Sequence, residues 1–207
     1  MAKHLLGLFN NPNREAITIV SGLPRSGTSM MMKMLEAGGL TPLTDHIRQA
    51  DADNPKGYYE FERVKKLREN DTAWLPDAEG KVVKIIASLL PHLPPTHEYR
   101  VVFMRRAMTE ILASQRQMLI RRGEDPDKVS NEEMAALFER HLQQVDAWIA
   151  KQPHVKRIDV DYNQVLAAPE AEAARINHFL GGELDAEKMA GVVDPALYRQ
   201  RGSEIDE

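Results

Sequence analysis

The chain has 207 residues, 43% hydrophobic and 28% charged, with a formal net charge of −4 and no cysteine. That length and balance fit a globular chain with a substantial core and exclude disulfides and thiol chemistry. The acidic balance argues against a general nucleic-acid binder, so an anionic ligand would need a local basic pocket. Residues 1–207 are expected to form a single domain, with 1–14 as an N-terminal extension. The opening MAKHLLGLFN has a short apolar patch, but Asn10-Asn11-Pro12-Asn13 interrupts it and no small-residue cleavage site follows. No signal peptide is expected. No apolar run approaches the roughly 20 residues of a membrane span. A cytoplasmic location is the expectation.

In chain order, Ile17-Thr18-Ile19-Val20 is a β-branched apolar run of strand length. A turn bounded by Gly22 and Gly27 follows, and then a Met-rich segment, Met30 to Leu35, that stops at Gly38-Gly39. Strand, glycine loop and helix together form the context in which backbone N–H groups converge on phosphate. The loop nearly matches the Gly-x4-Gly-Lys-[Ser/Thr] nucleotide-binding pattern, but Thr28 stands where the lysine belongs. A cation is present earlier, at Arg25.

Residues 40–60 are polar and turn-rich, long for a structureless connection, and are read as an active-site loop. Glu62 to Asn70 predicts a short charged helix, and Lys81 to Ile86 and Tyr99 to Met104 predict two buried strands. Met108, Ile111, Leu112, Gln115, Met118 and Leu119 give a helical stripe. Ser130 and Glu133 form a capping box ahead of a helix whose apolar face is Met134, Leu137, Phe138, Leu142, Val145, Trp148 and Ile149, read as core. His154 to Val160 predicts a fourth strand and Pro169 to Leu180 a helix ended by Gly181-Gly182. The expected fold class is α/β: a three-layer, P-loop-like fold with a central, mostly parallel sheet of about four to five strands flanked by helices. Ligands of such sheets bind at the carboxyl ends of the strands.

The phrase Pro24-Arg25-Ser26-Gly27-Thr28-Ser29 resembles the phosphosulfate-binding loop of PAPS-dependent sulfotransferases, commonly Pro-[Arg/Lys]-Ser-Gly-Thr-[Thr/Ser]. After the Tyr99 strand, Arg106 and Ser114 keep the family's eight-residue spacing between an arginine and a serine that hold the cofactor's 3′-phosphate. The proline usual two residues past that arginine is replaced by Met108, and Arg105 stands one residue out of step. Asn54-Pro55-Lys56-Gly57-Tyr58-Tyr59-Glu60 is similar to a phrase of bacterial members. Asp161-Tyr162-Asn163-Gln164-Val165-Leu166 is similar to a segment whose tyrosine lies near the adenine, and Phe179-Leu180-Gly181 and Val193-Asp194-Pro195 also match. The resemblance covers roughly residues 15–200 and implies that Gly22, Pro24, Arg25, Ser26, Gly27, Thr28, Ser29, Arg105 or Arg106, Ser114 and Tyr162 bind PAPS (3′-phosphoadenylyl sulfate). Arg199-Gln200-Arg201-Gly202 resembles a basic segment that closes over the 3′-phosphate.

The implied reaction passes a sulfuryl group from PAPS to an acceptor hydroxyl, small-molecule, carbohydrate or peptide, and releases 3′,5′-ADP. It needs a base for the attacking hydroxyl, fixed cations for the leaving group, and no metal. Arg25 is the first leaving-group stabiliser and Lys84 the second, since Lys84 interrupts an apolar strand where tyrosylprotein-type members carry a functional lysine. For the base, Glu60 ranks first, His46 second and Asp45 third. The seven histidines show no metal-ligand spacing. A homodimer is compatible with this reading. Two rivals stay open: a P-loop kinase or NTPase, and a catalytically inactive PAPS- or nucleotide-binding protein.

Overall fold

The computed structural model describes residues 15–45 and 59–194. Four strands, β1 (Ile17–Gly22), β2 (Val82–Lys84), β3 (Tyr99–Arg105) and β4 (Val155–Asp161), form one sheet in the order β2-β1-β3-β4. Every neighbouring pair is parallel, as the alternation of strands and helices predicts.

Strand alternation divides the core into two layers. Ile17, Ile19, Val83, Tyr99, Val101, Phe103 and Val155 face one side, where they meet Trp74, Leu89 and Leu90. Val20, Val82, Val102, Met104 and Val160 face the other. There they pack on Met31, Met32, Met34 and Leu35 of α1 (Thr28–Ala37) and on α5 (Pro169–Leu180) and α6 (Ala186–Gly191). The first face is covered by α3 (Asn131–Ile149) and by short 3-10 segments at Glu62–Glu69, Leu75–Ala78 and Ala87–His92. The chain leaves β1 over the second face, through α1, and leaves β3 through α2 (Met108–Arg121) toward α3 on the first. Between the carboxyl ends of β1 and β3 the chain departs to opposite sides, which opens a crevice there.

Three expectations need correction. The Lys81–Ile86 strand is regular only over Val82–Lys84, although Thr18 N–H still donates to Lys81 O and Ile85 N–H to Val20 O. The helix expected from Glu62 is a 3-10 helix ended by Asn70 in a left-handed conformation. The larger correction concerns α3. Its capping box is present, but only Val145 and Ile149 are buried, with Leu142 and Trp148 packed against the first core cluster. Met134 and Phe138 are half-exposed and Leu137 is exposed. A 19-residue helix spans about 28 Å and a seven-residue strand about 23 Å, so a helix anchored at one end outruns the layer beneath it.

Two histidines on the first face carry ring nitrogens that are buried and unpartnered, Nε2 of His154 and Nε2 of His141. Burial pushes both pKa values below the ordinary histidine value; Arg68 adds to the effect at His141 and Glu98 opposes it at His154. Below about pH 6.5 the unfolded chain takes up protons that these native side chains refuse, so stability falls as pH drops through the depressed values. The melting temperature is expected to fall between about pH 7 and 5, and the double variant His141→Gln/His154→Gln to flatten that slope. An unchanged slope in a pH series of thermal melts would assign the acid sensitivity to other groups.

Candidate active site

The loop from Gly22 to Gly27 joins β1 to α1 at the crevice. Gly27 caps α1 in a left-handed conformation (φ 97°), with no side chain capping the helix and no acidic residue in its first turn. The amides at the positive end of the helix dipole are thus not met by a carboxylate of their own first turn. A Cβ on Gly27 would come within 2.4 Å of the Tyr162 ring, and one on Gly22 within 2.8 Å of the Met104 carbonyl. Loop, β3 and α4 (Tyr162–Ala167) meet here at van der Waals contact.

Arg25 has φ 67°, a left-handed conformation that costs a residue with a Cβ about 1–2 kcal/mol. Two contacts hold it. Arg106 Nη1 donates to the Arg25 carbonyl at 3.0 Å, and Arg25 Nε donates to Ser114 Oγ at 2.9 Å. The arginine beside β3 and the serine of α2 are therefore both brought to the loop arginine. Because Ser114 Oγ accepts from Arg25, its hydroxyl proton is directed elsewhere. The guanidinium of Arg106 lies 4.4 Å from the centre of the Tyr162 ring, a stacked cation–π contact. Burial raises the Tyr162 pKa, with Arg106 and Arg25 opposing and Glu110 adding to the rise.

Arg105 is not part of this cluster. Its Nε donates to Asp159 at 2.8 Å and its Nη2 to Asp146 at 2.9 Å, and its guanidinium lies 4.5 Å over the Phe103 ring. Arg157 binds the same two carboxylates, so the four charges tie β3, β4 and α3 together. Both arginines hold the Asp146 carboxyl below the usual range against the opposing effect of burial. Ser26 also turns inward: it is buried, and its hydroxyl donates to Leu23 O at 2.7 Å, bracing the loop from within. Thr28 and Ser29 are half-exposed on the first turn of α1, and Pro24 is exposed.

The candidate acid–base groups gather beside β2. Lys84 pairs in register with Val20, and its Nζ lies 3.9 Å from Glu60 Oε1, with the two side chains only 10% and 20% exposed. The lysine inside an apolar strand thus faces a carboxylate. The stem of the 40–60 segment is pinned around Glu60: Thr44 Oγ1 and Asp45 N–H both donate to the Glu60 carbonyl. Asp45 Oδ2 accepts from Glu62 N–H at 2.6 Å, so this carboxylate anchors the start of the 3-10 helix. His46, the Asn54–Tyr58 part of the bacterial phrase, and Arg199 and Arg201 lie outside the described residues.

Two residues of the site went unread in the sequence, Glu110 and Asn163. Arg106 Nε donates to Glu110 Oε2 at 2.7 Å, and Asn163 Nδ2 donates to Glu110 Oε1 at 3.0 Å. The available signal was position: Glu110 lies four residues after Arg106 and four before Ser114, on one helix face. Among the described residues no three His, Asp or Glu side chains are grouped to hold a metal ion, and no helix is long and apolar enough to cross a membrane.

The fold is that of a doubly wound α/β protein whose glycine loop lies at the switch between β1 and β3, where no side chain caps the first turn of α1. The chain has the fold of bacterial sulfotransferase domains. It superposes on the sulfotransferase domain of the Synechococcus PCC 7002 olefin synthase with a TM-score of 0.51 and 16% identity, covering 95% of this chain and 84% of that one. The sulfotransferase domain of the curacin biosynthetic pathway aligns over 80% of this chain and 74% of its own, at 14% identity and a TM-score of 0.49. No protein-family profile and no curated protein sequence matches the chain.

Gly27→Ala tests the packing of the cradle. It combines a left-handed backbone with a Cβ driven into the Tyr162 ring, and is expected to destabilise the fold by about 2–4 kcal/mol in urea unfolding. A loss under about 0.5 kcal/mol, the range of an ordinary surface substitution, would mean that the Tyr162 contact is soft.

Proposed function

We propose that this protein transfers a sulfuryl group from PAPS to an acceptor hydroxyl and releases 3′,5′-ADP. One observation carries the reading: on a sulfotransferase-type fold, Arg25, Arg106 and Ser114 meet around an uncapped α1 N-terminus whose loop has Thr28 in place of the nucleotide-loop lysine. The kinase or NTPase alternative needs that lysine and an acid at a strand end to hold Mg²⁺. The acid that ends β4, Asp161, has Oδ1 accepting from the Asn163 and Gln164 amides and serves as the cap of α4.

In this reading the 5′-phosphosulfate lies on the loop, with the amides of Gly27, Thr28 and Ser29 around its oxygens. Arg106 and Ser114 take the 3′-phosphate, and the Tyr162 side supports the adenine. The acceptor oxygen attacks sulfur as its proton passes to a carboxylate. Glu60 is the proposed base, because Asp45 is committed to the loop stem. The bond between sulfur and the bridging oxygen then breaks, and Arg25 stabilises the charge left on that oxygen. Lys84, beside Glu60, neutralises the sulfuryl oxygens as the carboxylate gains its proton. The acceptor is a small-molecule, carbohydrate or peptide hydroxyl, no metal is used, and a cytoplasmic setting suits a chain without cysteine.

The first test is ligand choice. Calorimetry is expected to show 3′,5′-ADP and PAPS binding more tightly than ATP, without Mg²⁺; tighter, Mg²⁺-dependent ATP binding sinks the proposal. Arg106→Ala should lose roughly ten- to a hundredfold more affinity for 3′,5′-ADP than for 5′-AMP, the scale of a lost charge-assisted bond to phosphate. Loop damage alone would weaken both nucleotides equally.

Catalysis is probed at Arg25. Because backbone amides supply most 5′-phosphate contacts, Arg25→Ala should lower kcat on the order of a hundredfold with a much smaller loss of PAPS affinity. Arg25→Lys should recover part of the rate. A rate that survives Arg25→Ala would move the leaving-group role to Lys84 or to the amides, and binding with no turnover on any acceptor would indicate an inactive binding protein.

A further inference from the structure

Arg106 and Glu110 form an ion pair at the crevice with side chains 8% and 6% exposed. A buried pair of this kind contributes little net stability by its mere presence, so its geometry is the informative part. Glu110 takes the Nε edge of the guanidinium, at 2.7 Å, and Nη1 then meets the carbonyl of Arg25 at 3.0 Å. The guanidinium is planar and rigid, so fixing one edge aims the other.

The second carboxylate oxygen of Glu110 accepts from Asn163 Nδ2, which ties the pair to α4. That contact sets the orientation of the Asn163 amide, since a carboxylate can only accept. It leaves Asn163 Oδ1 buried and without a partner. The fold thus tolerates one orphaned acceptor so that the donor reaches Glu110. At the far end of the chain of contacts stands Arg25, a residue with a Cβ in a left-handed conformation.

We propose that Glu110 is a positioning residue. It grips one edge of Arg106, aims the other at the Arg25 carbonyl, and so holds the phosphate loop in its binding shape before a ligand arrives. The inference deepens the nucleotide-site reading, and only the nucleotide arm of its test rests on that reading.

The primary test is hydrogen exchange of the unliganded protein, followed in peptides covering residues 23–31 and in β1 and β3. Glu110→Ala is expected to speed exchange in 23–31 at least tenfold while the two strands keep their wild-type protection. Glu110→Gln should stay near wild type, because its side-chain oxygen can accept from Arg106 while Asn163 turns its Oδ1 to the new amide. Arg106→Ala should loosen the loop as Glu110→Ala does, and the double variant no further, the signature of two residues acting as one.

Unchanged loop exchange in Glu110→Ala overturns the proposal. So does equal acceleration in loop and strands, which marks a merely structural role, and so does a Glu110→Gln variant as loose as the alanine. If Glu110→Ala does not fold, Glu110→Asp decides: it keeps the charge but withdraws it by one methylene, and the loop should exchange about three- to tenfold faster. Wild-type protection in that variant overturns the idea. In the second arm, affinity for 3′,5′-ADP should fall about tenfold in Glu110→Ala and less than twofold in Glu110→Gln; a tenfold loss in both, or in neither, overturns it. A wild-type protein that ignores 3′,5′-ADP would sink the nucleotide reading and leave the exchange arm to judge Glu110.

Discussion

The site depends on one hydrogen bond between chain segments remote in sequence, from the Arg106 guanidinium to the carbonyl of Arg25. β1 and β3 are neighbours in a parallel sheet, and their carboxyl ends send the chain to opposite faces. The gap between those ends has no ladder to close it. Arg106 crosses it, and its charge is balanced within the gap by Glu110 and by the face of Tyr162. Loop, α2 and α4 are thus held to one another by a single guanidinium.

The second constraint is the base of the 40–60 segment. Val82 N–H donates to Thr41 O and Leu43 N–H to Val82 O, so the segment begins as a short cover along β2. It returns at Tyr59 in a left-handed conformation, its hydroxyl bonded to Glu36 of α1, and burial and Glu36 together push the Tyr59 pKa well above the ordinary range. Glu60 is carried to Lys84 by this closure. A carboxylate and an ammonium thus stand together, largely buried, at the carboxyl end of β2.

Much of this was legible in the residues. β-Branched runs between glycine and proline turns predicted the strands, and the Ser130–Glu133 box predicted the start of α3. The glycine loop predicted the turn from β1 into α1, because only glycine adopts the left-handed cap at Gly27 without penalty. The long α3 stripe was misleading for a plain reason: periodicity reports which side of a helix is apolar, not how far the layer beneath it extends. Met134, Leu137 and Phe138 satisfy the pattern but lie beyond the buried half of the helix.

Sequence alone determined the alternating α/β class, the parallel sheet, the loop and the spacing of Arg106 and Ser114, because these follow from local propensity and short-range periodicity. It could not choose between Arg105 and Arg106, adjacent in the chain and chemically identical. Tertiary structure separated them: Arg105 lies over Phe103, where the carboxylates of Asp146 and Asp159 meet it, whereas Arg106 reaches the loop. Nor could sequence show that Glu60 faces Lys84, or that Asn163 and Glu110 stand behind Arg106, since those partners are 24 and 53 residues apart and meet only when the sheet brings its strand ends together. Identity and period are local properties of the chain; which charge faces which is decided by where the folded backbone sends each side chain.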